Sequence, residues 1–165
     1  MLYQQRVMQE VATRIPGTLR LMLKNTPWTI KKSCIQKWMQ HSFQSSITNG
    51  DLDFFEKKSL NLIVTDINLR FNLTLKNKQL TINEYHQNAD CEFTGSFYDL
   101  LLIAAQKRDP DTLFFQRKLM ISGNTEVGLA IKNWLASLDM KASLHPLAQG
   151  PFVKFTDWVD EFTHT

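Results

Sequence analysis

The chain has 165 residues, 43% of them hydrophobic and 21% charged, which is the composition of one globular domain able to bury a core without disulfide or metal staples. Its longest unbroken apolar run, LLLIAA at 100–105, is far short of the roughly 20 residues of a membrane-spanning helix. The net charge of +3 is unevenly placed: residues 1–50 hold seven Lys or Arg against one acid, Glu10, which points that segment toward something anionic.

Residues 1–15 place apolar doublets at a spacing of about four, at Leu2/Tyr3, Val7/Met8 and Val11/Ala12, then Ile15. That period predicts a helix, ended by Pro16-Gly17. The segment has no apolar h-region of a secretory signal. With LRLMLK behind it, it forms a basic amphipathic stretch suited to a bilayer interface. The expected membrane-facing residues are Val7, Met8, Val11, Ile15, Leu19, Met22 and Leu23, with Arg6, Arg14, Arg20 and Lys24 on headgroups. A helix pair simply docked on the domain fits the same residues equally well.

Thr26-Pro27 predicts the start of a second, long helix, with Thr26 as N-cap and a buried stripe of Ile35, Trp38, Met39, Phe43 and Ile47. Asn49-Gly50 predicts its end. The period then changes to two. LNLIVTDI, LRFNLTLK, QLTINEY and DCEFTG alternate apolar with polar, and Asn77-Lys78 is a tight turn between two of them. Four such runs predict a mostly antiparallel sheet with one buried face and one wet face.

SFYDLLLIAAQKR is apolar almost all round and predicts a helix buried against that sheet. Asp109-Pro110-Asp111 starts a short helix, LMISG reads as a fifth strand, and Asn124 caps a core helix carrying Val127, Ile131, Trp134, Leu135 and Leu138. PFVKFTDWVDEF predicts a short amphipathic C-terminal helix. The expected fold is α+β: about five strands, mostly antiparallel, with helices packed on one face around an apolar cavity, preceded by amphipathic helices. The expected organisation is 1–26 membrane-associating, 27–140 lipid-binding, and 141–165 covering the cavity.

The chemistry of an enzyme is hard to find. Gly123–Gly128 has the glycine spacing of a phosphate loop, but Leu129 and Ala130 stand where that loop needs Lys and Ser/Thr. His41, His86, His145 and His164 have no second ligand at metal spacing, and Cys34 and Cys91 stand alone. Asp109 and Asp111 suit capping better than paired catalysis. No GxSxG elbow is present. What stands out is a surplus of large apolar side chains, enough for a cavity between sheet and helices. The expected lining is Phe54, Phe55, Leu101, Phe114, Phe115, Leu119, Ile121, Leu129, Ile131 and Trp134.

FFQRKLMISGNTEVGLAIKNW, an aromatic pair and basic pair running into a strand, a glycine turn and an apolar helix, resembles the signature of the sterol carrier protein type two family. The longer run DLLLIAAQKRDPDTLFFQRKLMISGNTEVGL, with DLDFFEKKSLNLIVTDINL, is similar to a ubiquinone-biosynthesis accessory branch of that family. The resemblance implies a non-catalytic lipid-binding protein of the oxygen-independent pathway. Its implied ligands are isoprenoid quinone intermediates and phospholipid, and its implied partners are UbiU/UbiV-type hydroxylase proteins, which carry the iron–sulfur clusters. Two lone cysteines cannot supply the four ligands of a cluster here, so no cofactor or metal is expected, and no nucleic acid.

The implied location is cytoplasmic, peripherally associated with the inner membrane; a C-terminus of Thr163-His164-Thr165 is not a peroxisomal address. A homodimer through the first helices is left open. The rival to lipid binding is a protein–protein module whose apolar groove grips a partner helix.

Overall fold

The computed structural model describes residues 25–138 and residue 157. The expected N-terminal helices and membrane-facing residues, and all of the C-terminal helix but Asp157, lie outside the described residues. Helix α1 spans Trp28–Ser42 and α2 spans Gln44–Asn49, separated at Phe43 (φ −104°, ψ 7°). Pro27, with ψ 145°, holds the N-cap position expected of Thr26, and it makes no side-chain cap hydrogen bond. Of the expected stripe, Met39, Phe43 and Ile47 are buried and Ile35 is half-buried. Trp38 is not buried: it is 47% exposed, because it lies off the arc that the other four share. Gly50 takes the left-handed conformation (φ 84°) that closes α2.

A single 3₁₀ turn at Asp53–Phe55 leads into the sheet. Its strands are β1 (Ser59–Val64), β2 (Leu69–Lys76), β3 (Gln79–Asn83), β4 (Cys91–Gly95) and β5 (Leu119–Gly123), in the spatial order β3-β2-β1-β4-β5. The β2–β3 hairpin turns through Asn77 (φ 52°) and Lys78 (φ 59°), the pair of left-handed residues that matches strand twist. All pairings are antiparallel except β1 with β4. That exception follows from the segment after β3 carrying the chain back to the other side of β1.

Cross-strand register gathers the apolar residues on one face. Leu60 aligns with Leu73 and Cys91, Leu62 with Phe71 and Phe93, and Phe93 with Ile121. The opposite face departs from the expected wet surface. Asn61 and Asn72 are buried there, Asn72 at 0% exposure, beneath the segment that follows β3. The Asn72 amide donates to Asn61 Oδ1 at 3.0 Å, and the Asn61 amide donates to the His86 carbonyl at 2.8 Å. Tyr85 donates to Glu92 at 3.1 Å, and the Arg70 guanidinium lies 5.5 Å from the Tyr85 ring centre.

Two helices, α3 (Phe97–Ala104) and α4 (Pro110–Phe115), link β4 to β5, and α5 (Thr125–Ser137) follows β5. Ser96 caps α3 by accepting from the Asp99 amide while donating its hydroxyl to the Asp99 carboxylate. The α3 helix is less enclosed than its apolar sequence predicts. Ile103 enters the main core, whereas Tyr98 and Leu102 form a small cluster with Ile67, and Phe97 is exposed.

The edge strand β3 is sealed by α1. Gln40 Oε1 accepts from the Leu80 amide at 3.0 Å, and Gln36 Oε1 from the Ile82 amide at 3.4 Å. The spacing of four on a helix faces two residues apart on a strand. The backbone donors of an otherwise open edge are thereby occupied.

Candidate lipid-binding site

The glycines that imitate a phosphate loop serve packing. Gly123 has φ 91°, and a Cβ there would lie 2.6 Å from the Asp90 carbonyl oxygen. A Cβ on Gly128 would lie 2.8 Å from Ile121 Cγ2 and 3.3 Å from Cys91 Sγ. Helix α5 therefore meets the apolar face of the sheet at close range. Asn124 Oδ1 caps it by accepting from the amides of Glu126 and Val127. Asp109 caps α4 by accepting from the Thr112 amide at 3.0 Å. An ion pair between Asp111 and Lys132 ties α4 to α5. Arg117, with φ 58°, donates its amide to the Phe114 carbonyl. The basic pair Arg117-Lys118 thus turns the chain out of α4.

The expected lining residues divide into three groups. Phe55, Leu119 and Ile131 are buried in one core cluster, with Ile121 and Trp134 packed against it. Leu101 is half-buried on α3. Phe54, Phe114, Phe115 and Leu129 are exposed, Phe115 at 81%, with the rings of Phe114 and Phe115 edge-to-face at 5.9 Å. The same core cluster also takes in Met39 and Phe43 of α1, with Ile35 and Trp28 packed on it. These α1 residues were not among those expected to line the cavity. Their signal was the four-residue stripe, which fits a core helix as well as a cavity wall.

Among the described residues no group set for catalysis is assembled around that surface. His86 contributes its backbone carbonyl to Asn61, and Asp109 is engaged as a cap. Burial pushes the Cys91 thiol up to about 11, opposite to an activated nucleophile. Among the described residues no cluster of three or more His, Cys, Asp or Glu could hold a metal, and no helix is long and apolar enough to cross a membrane. An open groove of about 360 Å³ on α1 is lined, among the described residues, by Gln36, Lys37, Gln40, His41 and Gln44. It holds none of the expected lining residues.

Residues 35–136 match the SCP-2 sterol transfer family. The chain belongs to that family. The SCP-2 chain is 37% identical over 126 residues to the ubiquinone biosynthesis accessory factor UbiT of Escherichia coli K12, covering 76% of this chain and 72% of UbiT. It is 43% identical over 47 residues to sterol carrier protein 2 of Gallus gallus, covering 28% of this chain and 9% of that one. Among solved structures, a UbiJ-SCP2 ubiquinone synthesis protein superposes with a TM-score of 0.57 at 14% identity, over 70% of this chain and 97% of that one. That likeness is one of fold.

Proposed function

We propose that the protein is a non-catalytic accessory factor of ubiquinone biosynthesis. In this reading it binds prenylated quinone precursors, and phospholipids, and presents them to UbiU/UbiV-type hydroxylases of the oxygen-independent pathway. The observation that carries the reading is the identity with UbiT over most of both chains. The physical support is an apolar sheet face roofed by α1, α4 and α5, at which half of the expected lining residues meet. Burying an isoprenoid tail on such a surface is worth roughly 25 cal/mol per Å², and it needs no catalytic group. The N-terminal basic residues would hold the protein peripherally at the inner membrane.

Native mass spectrometry with lipid extraction tests the reading on gently purified full-length protein. A co-purifying isoprenoid quinone precursor or phospholipid is the expected result. An empty protein that binds hydroxylase partners at full affinity would instead favour the helix-gripping module.

A further inference from the structure

Among the described residues four buried side-chain atoms have no hydrogen-bond partner, Ser42 Oγ, Asp66 Oδ2, Asn72 Oδ1 and Trp134 Nε1; of these only Ser42 Oγ and Trp134 Nε1 can donate. Ser42 is 1% exposed. A buried donor left unpaired is costly, and such atoms are rare in native proteins. These two come from the same junction. Phe43, next to Ser42, packs its ring edge-to-face on Trp134 with centroids 5.0 Å apart, and Trp38 packs on Phe43 at 6.3 Å. Ser42 lies one helical turn beyond Trp38. The row Trp38–Phe43–Trp134 therefore runs inward from an exposed ring, with one unpaired hydroxyl and one unpaired indole N–H along it.

The approach to that junction is apolar. Trp28, Ile35 and Ser42 are spaced by seven on α1 and so share a stripe, with Met39 beside them. Trp28, Ile35, Trp134 and Leu135 are packed on the core but only partly buried. The stripe offers a track for a hydrocarbon tail that ends in two donors. Neither Ser42 Oγ–H nor Trp134 Nε1–H can be satisfied by a tail, but both suit a carbonyl oxygen, which has two lone pairs.

We infer that Ser42 and Trp134 form the head-group end of the lipid site, donating hydrogen bonds to a carbonyl oxygen at the polar end of an isoprenoid or acyl tail. The inference rests on the lipid-binding reading above and deepens it. A quinone carbonyl and an acyl ester carbonyl share this chemistry.

The test follows the Trp134 indole N–H resonance in full-length protein, assigned by its loss in Trp134→Phe. The probes are a ubiquinone with a two-isoprene tail, dioctanoyl phosphatidylglycerol, and squalene as a tail without a carbonyl. A downfield move of that resonance with either carbonyl probe, absent with squalene, is expected. Ser42→Ala and Trp134→Phe should each weaken that probe about tenfold, the size of one lost hydrogen bond. Neither should lower the melting temperature of the empty protein by more than the loss of a few contacts, since each removes an unpaired polar atom. Which probe moves the resonance tells a quinone head from an ester. Carbonyl probes that bind without moving the resonance, and equally well to both variants, overturn the inference and leave the lipid-binding reading standing. Failure of all three probes to bind the wild-type protein overturns both.

Discussion

At the scale of single residues, Asp90 and Ser59 join strand ends that are far apart in sequence. Asp90 Oδ2 accepts from both the amide and the hydroxyl of Ser59 at 2.8 Å, and the Asp90 amide donates back to Ser59 Oγ at 3.1 Å. The Ser59 hydroxyl, ahead of the Ser59 amide and nearby Lys58, lowers the Asp90 pKa below its ordinary 3.8. A carboxylate depressed in the folded state contributes stability that is fully present above the unfolded pKa and is lost as pH falls through the folded one. Ser59→Ala should therefore cost more stability at neutral pH than at about pH 2, measured by denaturant melts at both. Equal losses would mean that the bond does not couple to titration. Lys78 offers the opposite case, a residue held at φ 59° where glycine is at ease. Lys78→Gly should raise stability by a few tenths to about 1 kcal/mol, read from the same melts. The turn at Asn77-Lys78 was legible in the sequence because its residue types interrupt a clean alternation. The Asp90–Ser59 pair was not, because nothing local relates two polar residues across parallel strands.

At the scale of elements, the alternation of LRFNLTLK and the caps at Asp109 and Asn124 were readable because each is a local physical requirement. The parallel pairing of β1 with β4 is non-local, and period-two patterning carries no strand direction. Local pattern also misjudges the face it leaves to solvent, where Asn61 and Asn72 are buried. Their burial depends on a segment that crosses back over them. The break at Phe43 was missed for a related reason: its stripe continues smoothly from α1 into α2, so apolar spacing shows one helix. The glutamine clamp on β3 belongs to this scale. Gln36→Ala with Gln40→Ala should leave the Leu80 and Ile82 amides without those acceptors. Their hydrogen exchange should accelerate by at least tenfold relative to the Leu73 amide in the neighbouring strand, and melts should show a loss of about 1–3 kcal/mol. Unchanged exchange would show that the edge is protected by other means.

For the whole molecule, fold class was the most legible property. A run of four alternating strands flanked by apolar helices, with apolar residues on one face, permits few architectures. The site was legible only in part. Helical spacing predicts Ile131 and Trp134 on the inner face of their helix, and both meet the core cluster, whereas Phe115 is expected in a wall and stands exposed. An apolar residue type reports a preference for burial, not the direction in which a short helix end turns. Charge was legible as an asymmetry, and its proposed use can be measured. Replacing Arg6, Arg14, Arg20 and Lys24 together by Gln in the full chain should weaken sedimentation with anionic liposomes by about 1 kcal/mol per residue, and added salt should narrow the difference from wild type. Undiminished sedimentation would move the membrane-facing surface to another part of the molecule.

The glutamine clamp also has a mechanical consequence. Loading a tail between two helices requires one of them to yield. If α1 swung outward it would strip the acceptors from Leu80 and Ile82 and open a strand edge to solvent or to another chain. On the α5 side the fixed points are the tight seat of Gly128 on Ile121, near the start of that helix, and the Asp111–Lys132 pair. Its distal turns, carrying Trp134 and Leu135, lie beyond both. The cheaper motion is a bend of the last turn of α5 beyond Lys132, with α1 standing as the fixed jamb. Hydrogen exchange during lipid uptake should then change at residues 133–137 and leave Leu80 and Ile82 as they were.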